Sequence, residues 1–557
     1  MKAPWPSAMS ALVLIFGPAP LPGEERNPGD EAVLKVAGLT SDGPALVRFF
    51  EQHTLTEAEQ ARLATEARRL GADSFRERER AMRELRATGR SALPFVRPAV
   101  NHSDPEVARR AQRLVQELEG GRELALVRAA ARLLADRRPA GTTDVVLRFL
   151  PSADDGLLED ELLAVLAVVA SSDGRIDPAV TAAVKDSAPA RRGAAAWVLG
   201  RSSRTEERAM ARPLLTDRNP TVRFRAAQAL LFAREKAAVP ALVALLSDAS
   251  PAVGWEIEEI LFRLAGERAP PVALGEGSDA ERRRCREAWE SWWRDQEGKL
   301  DLTKIELPDR RPGHAIFVCF EGYQSGKGRV WEVGADGRVV WHLDNITGAS
   351  DVQVLAGNRF LVSEYFGDPG VKERDLTGKV LWQHRFINTL AGQRLPNGNT
   401  FIANVDELVE LSPQGKPVFS FKRKDAAAIF CARKLRDGHY AYACQSGLMV
   451  ELDERGQTVR SFRAGLEWCA TFDALPNGHY LVPQGSTDKV IEFDRAGKVV
   501  WECHVPCANT AARLPYERTF VGTGQQHGRH SVVEVDRWGQ VISEQSVQGR
   551  VFRIIGR

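Results

Sequence analysis

The chain has 557 residues, several times what one hydrophobic core organises, so two or more domains are required. Its 76 basic and 74 acidic residues leave a formal charge of only +2, which removes any whole-molecule electrostatic case for nucleic acid as a partner. Charged residues at 27% and apolar residues at 43% are ordinary for a soluble protein, and no apolar run reaches the roughly eighteen residues needed to span a bilayer, so no transmembrane segment is expected.

Residues 1–23 follow the order of a secretory signal: Lys2, the apolar run Ala8 to Gly17, then a Pro/Gly-broken stretch before Glu24. Ala19 is the best small residue at a cleavage position, although Pro20 follows it. This predicts export to the periplasm or cell envelope; if the segment is no signal, the protein is cytoplasmic. Seven cysteines is an odd number, and Cys285, Cys319 and Cys444 sit inside helix or strand patterns, so no disulfide framework is expected.

Residues 24–70 read as a linker and N-terminal helices, and 71–300 as a helical array. From Thr54 to about Gln296 the apolar residues recur with helical rather than strand period. Thr56 with Glu59, and Ser74 with Glu77, have capping-box spacing, a hydroxyl and a carboxylate three residues apart at a helix start. Asp186-Ser-Ala-Pro189, Asp217-Arg-Asn-Pro220 and Asp248-Ala-Ser-Pro251 recur every 31 residues, with Ala195, Ala226 and Ile257 in one register and Leu199, Leu230 and Leu261 in another. Asp104-Pro105 opens a divergent earlier copy. Proline in the first helical turn followed by Val222 and Arg223 resembles the second helix of a HEAT repeat, over about 71–265, with a repeat shorter than usual.

Residues 281–298 place Cys285, Ala288, Trp289, Trp292 and Trp293 on one stripe, which predicts a helix that caps the array and joins it to the next domain. An aromatic ligand site there would need converging polar groups, and the stripe itself supplies none.

After Pro308 the period changes to two, and 301–557 read as a six-bladed β-propeller. A motif, apolar-x-Glu-x-Asp-x-x-Gly-Lys-x-x-Trp in its fullest form, recurs with glycines at 337, 378, 415, 456, 497 and 539, spacings that suit four-stranded blades. Leu-Pro-Asn-Gly hairpin signals precede most copies, as at Leu395 and Leu475. The first copy lacks an inner strand, and Arg550 to Gly556 is a strand with no hairpin after it, so the C-terminus is expected to close the ring. The fold class is thus all-α plus all-β: a HEAT-like α-solenoid followed by a six-bladed propeller.

Glu373-Arg-Asp-Leu-Thr-Gly378-Lys-Val-Leu-Trp382 resembles the repeat of quinoprotein-type (PQQ-like) propellers, and Leu395-Pro-Asn-Gly-Asn-Thr-Phe401 with Leu408-Val-Glu410 resembles arylsulfotransferase-type propellers. Together these cover about 313–557 and imply a bacterial protein. The second resemblance implies a channel histidine as nucleophile; the inner-strand segments hold Asp351, Gln353, Gln393, Arg433, Asp473 and Ala511-Ala512 instead. The first implies eight blades with cofactor and calcium sites, and six are counted here. No cofactor is therefore expected.

Irregular residues gather where loops between the middle strands and linkers between blades emerge, so that face is the candidate ligand site: Tyr323, Lys327, Asp351, Gln353, Gln393, Arg433, Asp473, His504, Gln525, His527 and Arg529. Gly322 to Gly328 is one residue short of a phosphate loop and precedes a strand. Cys503, His504 and Cys507 offer a weaker alternative, a soft metal site, without the close Cys-x-x-Cys pairs of zinc centres. His439 and His479 occupy equivalent places after two hairpin turns, which suits a structural role. The reading is a non-enzymatic binding or scaffolding protein of the cell envelope, with proteins or a small envelope ligand as partners. The alternative is an exported propeller-class enzyme or cofactor binder, arylsulfotransferase-like or quinoprotein-like, with its site on the irregular face.

Overall fold

The computed structural model describes residues 29–119, 122–153, 155–172, 174–305, 311, 313–321, 327–424, 427–466, 470–524, 530–547 and 549–556, with the backbone of 15–16. The expected signal, 1–23, lies outside them except for Ile15–Phe16, which pairs in parallel with the outer strand Val541–Val547. No helix among the described residues is long and apolar enough to cross a membrane.

From Gly29 to Gln296 the described residues are helical apart from connecting turns and one short hairpin, Ser171–Ser172 with Arg175–Ile176. The first two helices, Gly29–Val36 and Gly43–His53, bury Leu34, Leu46 and Phe50 in one core with Leu134, Val146 and Phe149. Phe50 meets Phe149 edge to face at 5.0 Å, and Arg132 reaches back to Asp30 at 2.6 Å. Residues between them form a separate core around Leu63, Met82, Leu85 and Leu114. The array is therefore interrupted by a satellite unit within 54–119.

Thr56 closes its capping box, its N–H donating to Glu59 at 2.8 Å. Ser74 does not: its side chain makes no bond to the helix Phe75–Thr88. The spacing permits a box, but both side chains must also adopt rotamers that face the helix start. Ser278 and Glu281 form a box that the sequence reading missed.

Pro189, Pro220 and Pro251 each open a helix. Asp186 and Asp217 accept the N–H two residues on, both at 2.8 Å, which turns the chain into the helix. Arg192 then grips Asp217 of the next repeat bidentately at 2.7 and 2.9 Å, and Arg223 pairs with Asp248 in the same way of linking neighbours. In the third copy the equivalent residue is Gly254, where a Cβ would lie 2.7 Å from Leu274, so the ladder ends and the cap begins. The cap helix Asp279–Gln296 buries Trp289 against Phe262 at 5.3 Å and Trp292 at 5.4 Å. Its indoles join the core of the array.

Six sheets follow, five of four strands and a sixth to whose four strands Ile15–Phe16 adds a fifth. Arg550–Gly556 supplies the inner strand of the first, pairing antiparallel with Ala315–Glu321, so the ring closes with its last strand. Each outer strand carries a β-bulge just after its tight turn, at Val340, Leu381, Val418, Val459, Val500 and Ile542. All six bulged residues are exposed, and the extra twist blunts edges that could otherwise pair with a foreign strand.

Candidate functional site

Within the channel, the inner strands place Gln353, Gln393, Arg433 and Asp473 two residues before a hairpin-turn leucine. They stitch blades together. Gln353 accepts from Arg394 N at 2.6 Å and donates to its carbonyl at 3.1 Å; Gln393 accepts from Lys434 N at 2.7 Å. Asp473 accepts from Arg513 N at 3.3 Å. Arg433 crosses the channel to hold Asp351 bidentately at 2.9 and 3.0 Å. Arg553 of the closing strand bonds Asp473 at 3.2 Å and lies 3.6 Å from Asp351.

This four-residue network has two cations and two anions, and Asp351 and Arg433 are buried. Burial works against the Arg433 charge, but Asp351 outweighs it and holds the guanidinium above its ordinary value. Asp351, Arg433 and Asp473 are thus brought together as expected of a site, yet their polar atoms face each other. Gln353, Gln393, Arg433 and Asp473 sit toward the hairpin ends of their strands, in the channel wall and away from the loop face on which the sequence reading set them, whereas Asp351, third in the strand Ala349–Leu355, lies toward the linker end. Arg553 was missed because its strand lacks the hairpin that marks the others.

The recurrent motif glutamate has a similar use. Glu410 accepts from Tyr440 of the next blade at 2.8 Å, Glu451 from Tyr480 at 3.0 Å, and Glu492 from Arg513 at 2.6 Å. His439 and His479 face Glu451 and Glu492 at 2.7 and 2.8 Å. Asp437, His439 and Glu451 lie close enough to hold a metal ion, but Arg495 already bridges the two carboxylates at 2.5 and 2.6 Å.

Of the remaining candidates, Tyr323, Gln525, His527 and Arg529 lie outside the described residues, as does the side chain of Lys327. His504 is exposed at the end of the outer strand Val499–His504, far from the channel network in the sheet order. Cys503 and His504 are consecutive strand residues and point to opposite faces, so they do not share a metal. Cys503 is instead packed among Leu475, Val490 and Val521, and burial pushes its thiol up to about 11. Cys507 hangs on Asp488 by its backbone N–H at 2.8 Å.

The regular face, which the sequence reading passed over, is where the two domains meet. Arg436, in a hairpin turn of the fourth blade, bonds Glu258 at 3.2 Å and Glu259 at 2.5 Å. His479 of the fifth blade's turn lies 3.4 Å from Glu276. From the sixth blade, Arg537 pairs with Glu119, and the Trp538 indole donates to Glu119 at 3.2 Å. Tyr516 donates to Asp160 and lies over Gly156, while Arg518 lies 3.6 Å from Asp155. Burial raises Asp155, but Arg518 and Arg128 more than compensate and hold it below the usual carboxylate range. The array backs onto the turn face through these contacts.

A family model described as HEAT repeats matches residues 176–261, the stretch that contains all three Asp-x-x-Pro turns. No curated protein matches the chain. Among solved structures, a Bacteroides caccae protein of unknown function is 18% identical, covering 43% of this chain and 97% of its own, with a TM-score of 0.35. The WD40 propeller domain of Doa1 is 13% identical, covering 37% and 74%, with a TM-score of 0.29. BamB from Moraxella catarrhalis is 17% identical, covering 43% and 76%, with a TM-score of 0.27.

Proposed function

We propose that the protein is a non-enzymatic scaffold of the cell envelope that engages a partner protein through the loop face of its propeller. HEAT repeats and a propeller together make a repeat-type interaction scaffold. The observation that carries the finer reading is the channel network: Asp351, Arg433, Asp473 and Arg553 bond one another, leaving no nucleophile and base aimed at a common point among them. The turn face is occupied by the chain's own helices, so the opposite face is the one left to a partner. Arg385 ends the outer strand of the second blade there, and Ile387, 63% exposed, stands in the linker that follows.

The test is capture from an envelope fraction with the full chain, comparing wild type with Ile387→Asp plus Arg385→Glu. A partner lost by this variant and retained by Val36→Asp, on the first helix, supports the reading. A partner retained by the loop-face variant refutes it, as does a protein found only in the cytosol.

A further inference from the structure

Where the array ends, Leu264 of the helix Pro251–Ala265, Trp292 of the cap helix, and Leu300 and Ile305 of the departing chain line a cleft of about 350 Å³. That volume is sufficient for a small organic ligand. Trp292 is 6% exposed and wedged between Trp289 and Trp293 at 5.4 and 6.1 Å, so the apolar wall is rigid. The floor alone would suit any apolar molecule. The rim selects among them.

Arg268 and Lys299 both line this cleft, and neither has a carboxylate partner among the described residues. Arg268 donates to Gln296 Oε1 at 2.7 Å, which fixes the guanidinium at the rim with further N–H groups to offer. Asp301 also lines the cleft, but its Oδ1 accepts the Thr303 N–H at 3.1 Å and hydroxyl at 2.6 Å, turning it onto its own loop. Two cations thus stand against one engaged anion over an aromatic and aliphatic wall.

We propose that this cleft binds a small amphipathic anion, a carboxylate or sulfonate carried on an aryl or short acyl body. The apolar body packs on Trp292, Leu264 and Leu300, and the anionic group bonds Arg268 and Lys299. The stripe of tryptophans showed no polar convergence in sequence because Arg268 precedes Trp292 by more than six helical turns of chain and Lys299 follows the helix.

The experiment titrates the full chain with naphthalenesulfonate, octanoate and neutral naphthalenemethanol, read by calorimetry and tryptophan fluorescence. Saturable binding of at least one anion, about tenfold tighter than the neutral compound, is expected. Arg268→Gln plus Lys299→Gln removes that preference and leaves the neutral compound's affinity unchanged. Gln296→Trp, which fills the cleft from its rim, abolishes binding. The aryl and acyl arms decide which body is preferred. Absence of saturation with both anions, equal affinity for the neutral compound, or anion binding indifferent to both variants overturns the proposal.

Discussion

Arg436 in a propeller turn ion-pairs with Glu258, a residue of the helical array that has no exposed surface. Burial pushes the Glu258 carboxyl up, and Arg436 pulls it only part of the way back. The Leu274 N–H also donates to it at 2.7 Å, so this one carboxylate ties together the array's last repeat, its cap and the propeller.

Replacing Arg436 with alanine leaves Glu258 buried without its cation and is expected to lower stability by about 2 kcal/mol, less than a fully enclosed pair because Arg436 is partly solvated. Chemical denaturation should separate into two transitions as the domains uncouple. The pH dependence has a definite sign. A carboxyl raised in the folded state contributes stability that is fully present below its unfolded value and is lost as pH rises through the folded one. The stability difference between wild type and Glu258→Gln should therefore shift against wild type as pH increases from the usual carboxylate range upward. A flat difference would dismiss the assignment.

Gly156 carries the Tyr516 ring so closely that a Cβ would lie 2.2 Å from it. Gly156→Ala should cost about 1–3 kcal/mol through overpacking, and Tyr516→Ala should relieve most of that cost. A double-mutant cycle by thermal unfolding measures the coupling; additive effects would show that the two residues do not meet.

The side chains of Arg192 and Asp217 are largely covered, unlike those of the exposed pair Arg109 and Glu106. Asp217→Ala is expected to destabilise the array by about 3 kcal/mol, and Glu106→Ala to leave its stability close to that of the wild type. Denaturant midpoints for the two variants check the contrast.

In the channel, Asp351→Ala strands the Arg433 charge and should cost about 3 kcal/mol, whereas Asp351→Leu combined with Arg433→Met should recover most of it. Recovery in the double variant is the outcome expected of a structural pair. If the double variant folds normally but loses a captured partner, the channel itself is the binding site and the loop-face reading fails.

Removal of residues 550–557 takes the inner strand from the first blade and opens the ring. The expected result is loss of cooperative unfolding and concentration-dependent association in size exclusion. A truncated chain that stays monomeric and folded would contradict closure by this strand.

Much of the architecture was legible because turns impose strict local chemistry. Asp-x-x-Pro and Asp-x-x-Gly each write one backbone geometry into a few residues, and those geometries recur at the period of the fold. Long-range relationships left weaker traces. Nothing near Asp30 announces Arg132, and Arg553 lies in a strand without the expected hairpin. The docking face did leave a sign: Leu435-Arg-Asp-Gly and Leu514-Pro-Tyr-Glu depart from the Leu-Pro-Asn-Gly pattern, and Arg436 and Tyr516 are where the helices make contact. Regular turns were read as featureless because a hairpin signal specifies the backbone and is silent about what packs on it.

The pairing of the first two helices with residues beyond the satellite unit has a consequence for synthesis. Leu46 and Phe50 emerge early but find Val146 and Phe149 only about a hundred residues later, after the satellite has had time to collapse on its own core. The propeller repeats the situation at the other end, since Ala315–Glu321 waits for the final strand of the chain. Each domain therefore holds an unmet surface until its partner segment is made, the helical array until about Phe149 and the propeller until the strand Arg550–Gly556, and each is most vulnerable to mispairing in its own interval.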